Sequence, residues 1–472
     1  MSNLAEQLSD YGTSLKYADL PSDVVHLAKR FIIDTIGCAL GGYDSEPSKV
    51  ARAVAGEVTP AHPVTVMGSG QSSSLDLAVF ANGVMIRFLD FNDGYTSQES
   101  GHPSDSIAAA LSATEAAGGS GKRLLVSTVL AYEAFCRICD TVDIKPRGFD
   151  HVTVGGIASV LAAARAMKLS KEQTFQALNL GIASNVALYQ TRIGDVSMWK
   201  GCAYANASRN AVFSVQLARA GLTGPSPIFE GDGGYFRAVS GEPFALKEMG
   251  GKDHPFKINE CSIKQFPLGQ YSQTVAQAAL EVRELYGQPE EIAQVNISTL
   301  QTAVNIMAGD PEKWTPKNRE TADHSMPYTA AVALMFGTVE SRHFDDEFLK
   351  DPDLLELVSK VTVSVSNEAN ARAPEAMLCD FEVVTKSGEE HSVQVAYHKG
   401  HYRNPLTDNE VDRKFRSLAQ EHLPAERVDA LLDRLWHLED VQNAGDLIRS
   451  PTFWTSSKCH RRSNKASTRS AG

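Results

Sequence analysis

Between residues 24 and 40 apolar side chains recur every three to four positions, the period of a helix with one buried stripe. Pro21-Ser22-Asp23 supplies a start signal before that run and Gly41-Gly42 a stop after it. The same pattern predicts helices over 105–117, 123–140, 155–167 and 204–220, with Asp105 as the N-cap of the first. Ser170-Lys171-Glu172-Gln173 is a capping box and predicts a helix running to Ala183. Ala and Gly crowd these segments, which lets helix axes approach closely. Past about residue 256 the period changes. Residues 294–300 (QVNISTL) and 360–366 (KVTVSVS) alternate apolar and polar, the pattern of half-buried strands. Residues 379–385 and 391–397 flank KSGEE and predict a hairpin. Helical spacing returns over 408–422 and 426–440.

The expected fold is therefore mainly α with an inserted α+β domain. Residues 1–258 and 407–454 would build a large helical domain from both ends of the chain, and residues 259–406 a smaller α+β unit. Residues 455–472 have no periodicity and carry five basic residues and no acid, so they read as a basic disordered tail. A cleft between two such domains is a preferred place for a small-molecule site.

Composition narrows the partners. Of 472 residues, 43 % are apolar and 22 % charged, ordinary usage for a folded chain. The formal net charge of −12 makes the body a poor partner for nucleic acid or an anionic membrane. An anionic substrate would need cations gathered locally. No apolar run approaches the roughly 20 residues of a membrane helix, and the N-terminus, MSNLAEQLSDYG, reads neither as a secretory signal nor as an Arg-rich transit peptide. The expected location is the cytoplasm. Seven scattered Cys argue against a disulfide framework or an iron–sulfur cluster. Cys136 and Cys139 form a CxxC, but no second metal-spaced pair follows, and on a helix the spacing puts both thiols on one packed face. They read as core thiols.

The densest polar cluster is LDFNDGYTSQESGHPSD, with Asp90, Asn92, Asp93, Glu99, His102 and Asp105. Three readings stay open for it: a capping loop, a cation site without calcium-loop spacing, or a His–carboxylate pair for proton transfer. His151 stands at a helix start, where the helix dipole favours a bound carboxylate. Arg192, Lys200 and Lys264 are cations near segment ends. FEGDGGYF (229–236) reads as a tight turn and matches no phosphate loop. There is no GxSxG and no dinucleotide fingerprint.

Six motifs occur in order: LDFNDGYTSQESGHPSD, GFDHVTVGG, MWKGCAYANASRNAV, KQFPLGQYSQT, RETADHSMPYTAAVALMFG and GHYRNPLTDNEVDRKF. Over residues 5–448 the chain resembles the MmgE/PrpD family, best known for 2-methylcitrate dehydratases and including cis-aconitate decarboxylase and an iminodisuccinate epimerase. The resemblance implies a helical domain with an inserted α+β lid, a homodimer, a small anionic carboxylate substrate, and chemistry that uses no metal or other cofactor. It places Asp90, His102, His151, Lys200, Lys264 and Tyr328 as catalytic, and beside them Asn92, Arg192 and Tyr271 are expected to bind substrate. Three positions depart from the family pattern. Gly94 stands where many members carry Thr. Gly269 stands where the decarboxylase has His and methylcitrate dehydratases have Glu. Tyr271 replaces the dehydratases' His.

The activity so implied is elimination of water from a 2-methylcitrate- or alkylcitrate-like tricarboxylate. A base takes a proton beside a carboxylate while cations neutralise the charge that develops. His102 and His151 are the acid and base, Lys200, Lys264 and Arg192 bind carboxylates, and Asp90 orients a His. The alternatives are decarboxylation of a cis-aconitate-type acid, epimerisation or isomerisation of a related polycarboxylate, and an inactive helical dimer that acts as a binding protein.

Overall fold

In a computed structural model describing residues 3–449, the apolar stripe over 24–40 is the helix Ser22–Gly41, with Ile32, Ile33 and Ile36 fully buried. The chain passes so close to its neighbour at the helix end that a Cβ on Gly42 would fall 2.3 Å from the Met85 carbonyl oxygen. The other helical runs become Gly121–Cys139, Val152–Ala166, Lys171–Ser184, Trp199–Arg219, Asp408–Ala419 and Ala425–Trp436. The capping box forms. Ser170 Oγ accepts from the Gln173 N–H at 3.2 Å, and Gln173 Oε1 accepts from the Ser170 N–H at 3.1 Å. Small residues do set close crossings: a Cβ on Gly83, in the helix Leu75–Arg87, would meet Ala205 Cβ of Trp199–Arg219 at 2.8 Å.

One N-terminus differs from expectation. Pro103 starts a 3₁₀ turn, Pro103–Ser106, and the α-helix follows as Ile107–Ala116. Asp105 therefore sits inside the turn and caps nothing. Its carboxylate accepts from Asn92 Nδ2 at 2.7 Å instead.

The predicted strands form one four-stranded sheet. Ile292–Thr299 is parallel to Val361–Val365 on one side and antiparallel to Cys379–Thr385 on the other, and Glu390–Val395 pairs with Cys379–Thr385 as a hairpin. Its turn needs Gly388, whose φ is +87°. A two-stranded hairpin, Val64–Val66 with Gln71–Ser73, was not legible in the pattern because three-residue strands carry no period.

Two hydrophobic cores result. One gathers buried side chains from Leu4 through Ile263 and again from Leu406 through Ile448; the other gathers Phe266 through Val395. Cys136 and Cys139 lie in the first core, and Cys136 Sγ is 3.7 Å from Cys261 Sγ. No helix among the described residues is long and apolar enough to cross a membrane. The basic segment 455–472 lies outside the described residues.

Candidate active site

A cleft opens where the two cores meet. The first core contributes Arg87, His102, His151, Arg192 and Lys200, and the second contributes Gln270, Tyr271, Met307 and His324.

Local structure explains the placement. The loop after Leu75–Arg87 turns at Asp90, which takes a left-handed backbone with φ +48°, a conformation Asp tolerates better than most residues. Four basic groups then converge on this fully buried carboxylate. Arg87 Nη1 lies 2.6 Å away, Lys200 Nζ 3.2 Å, His324 Nε2 3.2 Å, and Lys264 Nζ contacts Oδ1 directly. Burial alone would raise the Asp90 pKa, but Arg87, Lys264 and Lys200 outweigh it and hold the group well below the usual carboxylate range. Asp323 extends the cluster, 2.6 Å from Lys200 Nζ and 2.6 Å from His324 Nδ1. By residue type Asp90, Asp323 and His324 resemble a cation site, with ligand atoms within 4.8 Å of one another. The ammonium of Lys200 already bridges both carboxylates.

His102 and His151 line the same cleft. His102 Nδ1 donates to the Asp93 carbonyl at 2.6 Å, since a carbonyl can only accept, so Nε2 carries the lone pair. His151 immediately precedes the helix Val152–Ala166, with Nδ1 3.1 Å from Asp150 Oδ1 and Nε2 buried without a partner. Its ring packs on Gly101, where a Cβ would meet His151 Cδ2 at 2.5 Å. Burial, with Arg87 and Lys264 nearby, pushes His102 well below the ordinary histidine value. Burial, with Arg192 and Lys145 nearby, lowers His151 to about 3, and burial and Lys200 lower His324 to about 4. His102 and His151, with no carboxylate at Nε2, are neutral imidazoles near pH 7. Behind His151, Arg192 Nε donates to Asp150 Oδ2 at 2.7 Å. Burial would raise Asp150, but Arg192 and His151 hold it well below the usual range.

The cleft thus brings together His102, His151, Arg192, Lys200 and Tyr271 of the residues expected from sequence, with Asp90 beneath them. Tyr271 Oη lies 3.2 Å from Ser100 Oγ. Three expected residues stand elsewhere. Lys264 is fully buried behind Asp90, donates to the Asp90 carbonyl at 2.9 Å, and lines no cleft wall; burial pushes its ammonium down to about 8. Asn92 Nδ2 is spent on Ser104 Oγ at 2.8 Å and Asp105. Tyr328 belongs to the second core, its hydroxyl donating to the His343 carbonyl at 2.8 Å. Asp90 faces His324 rather than His102 or His151. His324, Arg87 and Gln270 were missed. For His324 a signal existed, an acid–imidazole dipeptide just before the Ser325 cap of Met326–Phe336. A further pin comes from the far end of the chain. Lys414, paired with buried Asp34 at 2.6 Å, donates to the Phe91 carbonyl at 2.7 Å and the Lys264 carbonyl at 2.8 Å.

The MmgE/PrpD N-terminal domain matches residues 6–247, and the MmgE/PrpD C-terminal domain matches residues 266–438. The chain belongs to the MmgE/PrpD family. Three MmgE/PrpD relatives show its range. The probable 2-methylcitrate dehydratase of Saccharomyces cerevisiae is 25 % identical, covering 71 % of this chain and 68 % of its own. Cis-aconitate decarboxylase of Homo sapiens is 24 % identical, covering 96 % of each chain. The 2-methylcitrate dehydratase of Cupriavidus necator is 26 % identical, covering 86 % of this chain and 88 % of its own. All three relatives are lyases. The cleft lies where the segments matching the two MmgE/PrpD domains meet, and takes residues from both.

Proposed function

We propose that this protein is a hydro-lyase that eliminates water from a 2-methylcitrate- or alkylcitrate-like tricarboxylate. The observation that carries the reading is two neutral imidazoles with open Nε2 atoms in the same cleft as Arg192 and Lys200. Cations hold the carboxylates, and His102 Nε2 takes the proton from the carbon beside one of them. The bound polyanion raises His151, which Asp150 backs, so that it carries a proton to the departing hydroxyl. The C–H pair becomes the new C=C bond, the C–O bond breaks, and water leaves. His102 then returns its proton to reset the pair. Asp90 keeps Lys200 and His324 in place, and the buried Lys264 supports Asp90 rather than touching substrate.

The segment 259–406 acts as the lid, an assignment supported by Gln270, Tyr271, Met307 and His324 closing the cleft from the second core. Segment 186–200 carries cleft residues and also exposes Val186, Leu188, Ile193, Met198 and Trp199, a face that supports a homodimer, which sedimentation would measure. The deciding test is a screen of citrate, 2-methylcitrate, longer alkylcitrates and cis-aconitate, following alkene absorbance at 240 nm and CO₂ release. Alkene without CO₂ is the expected result; no alkene from any hydroxy acid would overturn the reading. Decarboxylation of a cis-aconitate-type acid is the second reading, favoured by the full-length match to cis-aconitate decarboxylase. CO₂ from cis-aconitate would establish it.

A further inference from the structure

Gln270 opens the short turn Gln270–Ser272 and lines the cleft. Its amide is unspent. Oε1 is buried with no partner, and no group among the described residues bonds Nε2. The amide also occupies a side chain's place. A Cβ on Gly94 would fall 2.3 Å from Gln270 Oε1 and 2.7 Å from Cδ. Residue 94 cannot retreat, because its N–H donates to the Ser262 carbonyl at 2.9 Å and its carbonyl accepts from the Ser262 N–H at 2.9 Å. Next to it, Met307 fills the space over Gly269, where a Cβ would meet Met307 Cε at 2.7 Å. So the second core contributes to the cleft an uncharged amide that makes no hydrogen bond among the described residues. Folded proteins rarely leave a buried acceptor unpaired, because its desolvation is not repaid.

We propose that Gln270 is a substrate-binding residue that reads a carbon bearing both a hydroxyl and a carboxylate. The inference rests on the hydro-lyase reading and deepens it. An amide sets one acceptor beside one donor, and such a carbon offers an O–H donor beside a carboxylate acceptor. Arg192 and Lys200 hold negative charge and accept any polycarboxylate. Gln270 supplies the distinction between the hydroxy acid and the same skeleton without its hydroxyl. A neutral amide does this without adding repulsion toward a trianion, as a carboxylate there would.

The experiment is calorimetric titration of citrate, and of tricarballylate, which is citrate lacking the hydroxyl. Both are titrated into wild type and Gln270→Met, with thermal melts as a folding control. Wild type should bind citrate about ten-fold or more tightly than tricarballylate. Gln270→Met should bind both with the weaker affinity, losing the preference. Should the Met variant melt early, Gln270→Ala, which removes bulk, carries the same test. An undiminished preference in a folded variant, or no preference in wild type, overturns the role of Gln270 and leaves the hydro-lyase reading standing. Failure of wild type to bind either tricarboxylate overturns that reading itself.

Discussion

The rings of His102 and His151 meet edge to face with centroids 5.6 Å apart. Each turns Nδ1 to a backing oxygen, the Asp93 carbonyl for one and Asp150 for the other. At this spacing a proton on one ring disfavours a second proton on the other, so the pair exchanges one proton rather than holding two.

That coupling predicts non-additive losses. His102→Ala and His151→Ala should each lower turnover by about a thousand-fold, and the double variant should lose little more, because the rings act as a unit. Purified variants assayed by alkene absorbance, with circular dichroism melts near wild type, check this. Wild-type-like turnover in His102→Ala would remove it from the mechanism.

Lys200 has a structural and a functional share. Lys200→Met leaves buried Asp323 with only His324 as a close ion-pair partner. Denaturant unfolding should show a loss of about 3 kcal/mol, the cost of an orphaned buried charge. Lys200→Met/Asp323→Asn should recover most of the stability and none of the activity. Recovery of activity would show that the ammonium serves Asp323 alone.

Acid should destabilise the fold through His151, whose value falls from 6.5 unfolded to about 3 folded. Between those values the unfolded chain binds a proton that native His151 refuses. Stability therefore falls as pH drops through 6.5, by at most about 1.4 kcal/mol per pH unit for this group. His151→Asn should shallow the slope by that amount. Asp93 and Asp105, raised by burial to about 6 and about 7, act in the opposite sense, but they are present in both proteins and drop out of the comparison. Parallel stability curves from pH 4 to 6.5 would contradict the lowered value.

Tyr328→Phe should keep turnover. Its hydroxyl serves the His343 carbonyl inside the second core, so the expected cost is about 1 kcal/mol of stability, seen as a lower melting temperature. A large fall in kcat would place the hydroxyl in the cleft.

Much of this was legible in the chain. Long helices and alternating strands announce themselves because one buried face imposes a period. His102, His151, Lys200 and Tyr271 were readable within ordered motifs, Arg192 as a cation near a segment end, and all five meet in one cleft. What the chain hides is depth. Lys200 and Lys264 look alike locally, yet one lines the cleft and the other lies sealed behind Asp90. Gln270 lies inside the motif KQFPLGQYSQT, but nothing in the motif marks it apart from its neighbours. Its amide matters because Gly94, far away in sequence, leaves room for it, and that relationship exists only after the cores have packed.

Lys414 gives the order of assembly a meaning during synthesis. The ribosome releases both histidines, the Asp90 cluster and the whole second core before the helix Asp408–Ala419 emerges. Until then the Phe91 and Lys264 carbonyls lack their common donor and buried Asp34 lacks its counter-charge. A nascent or truncated chain ending before residue 414 therefore holds every group of the proposed chemistry but not the clamp that sets them.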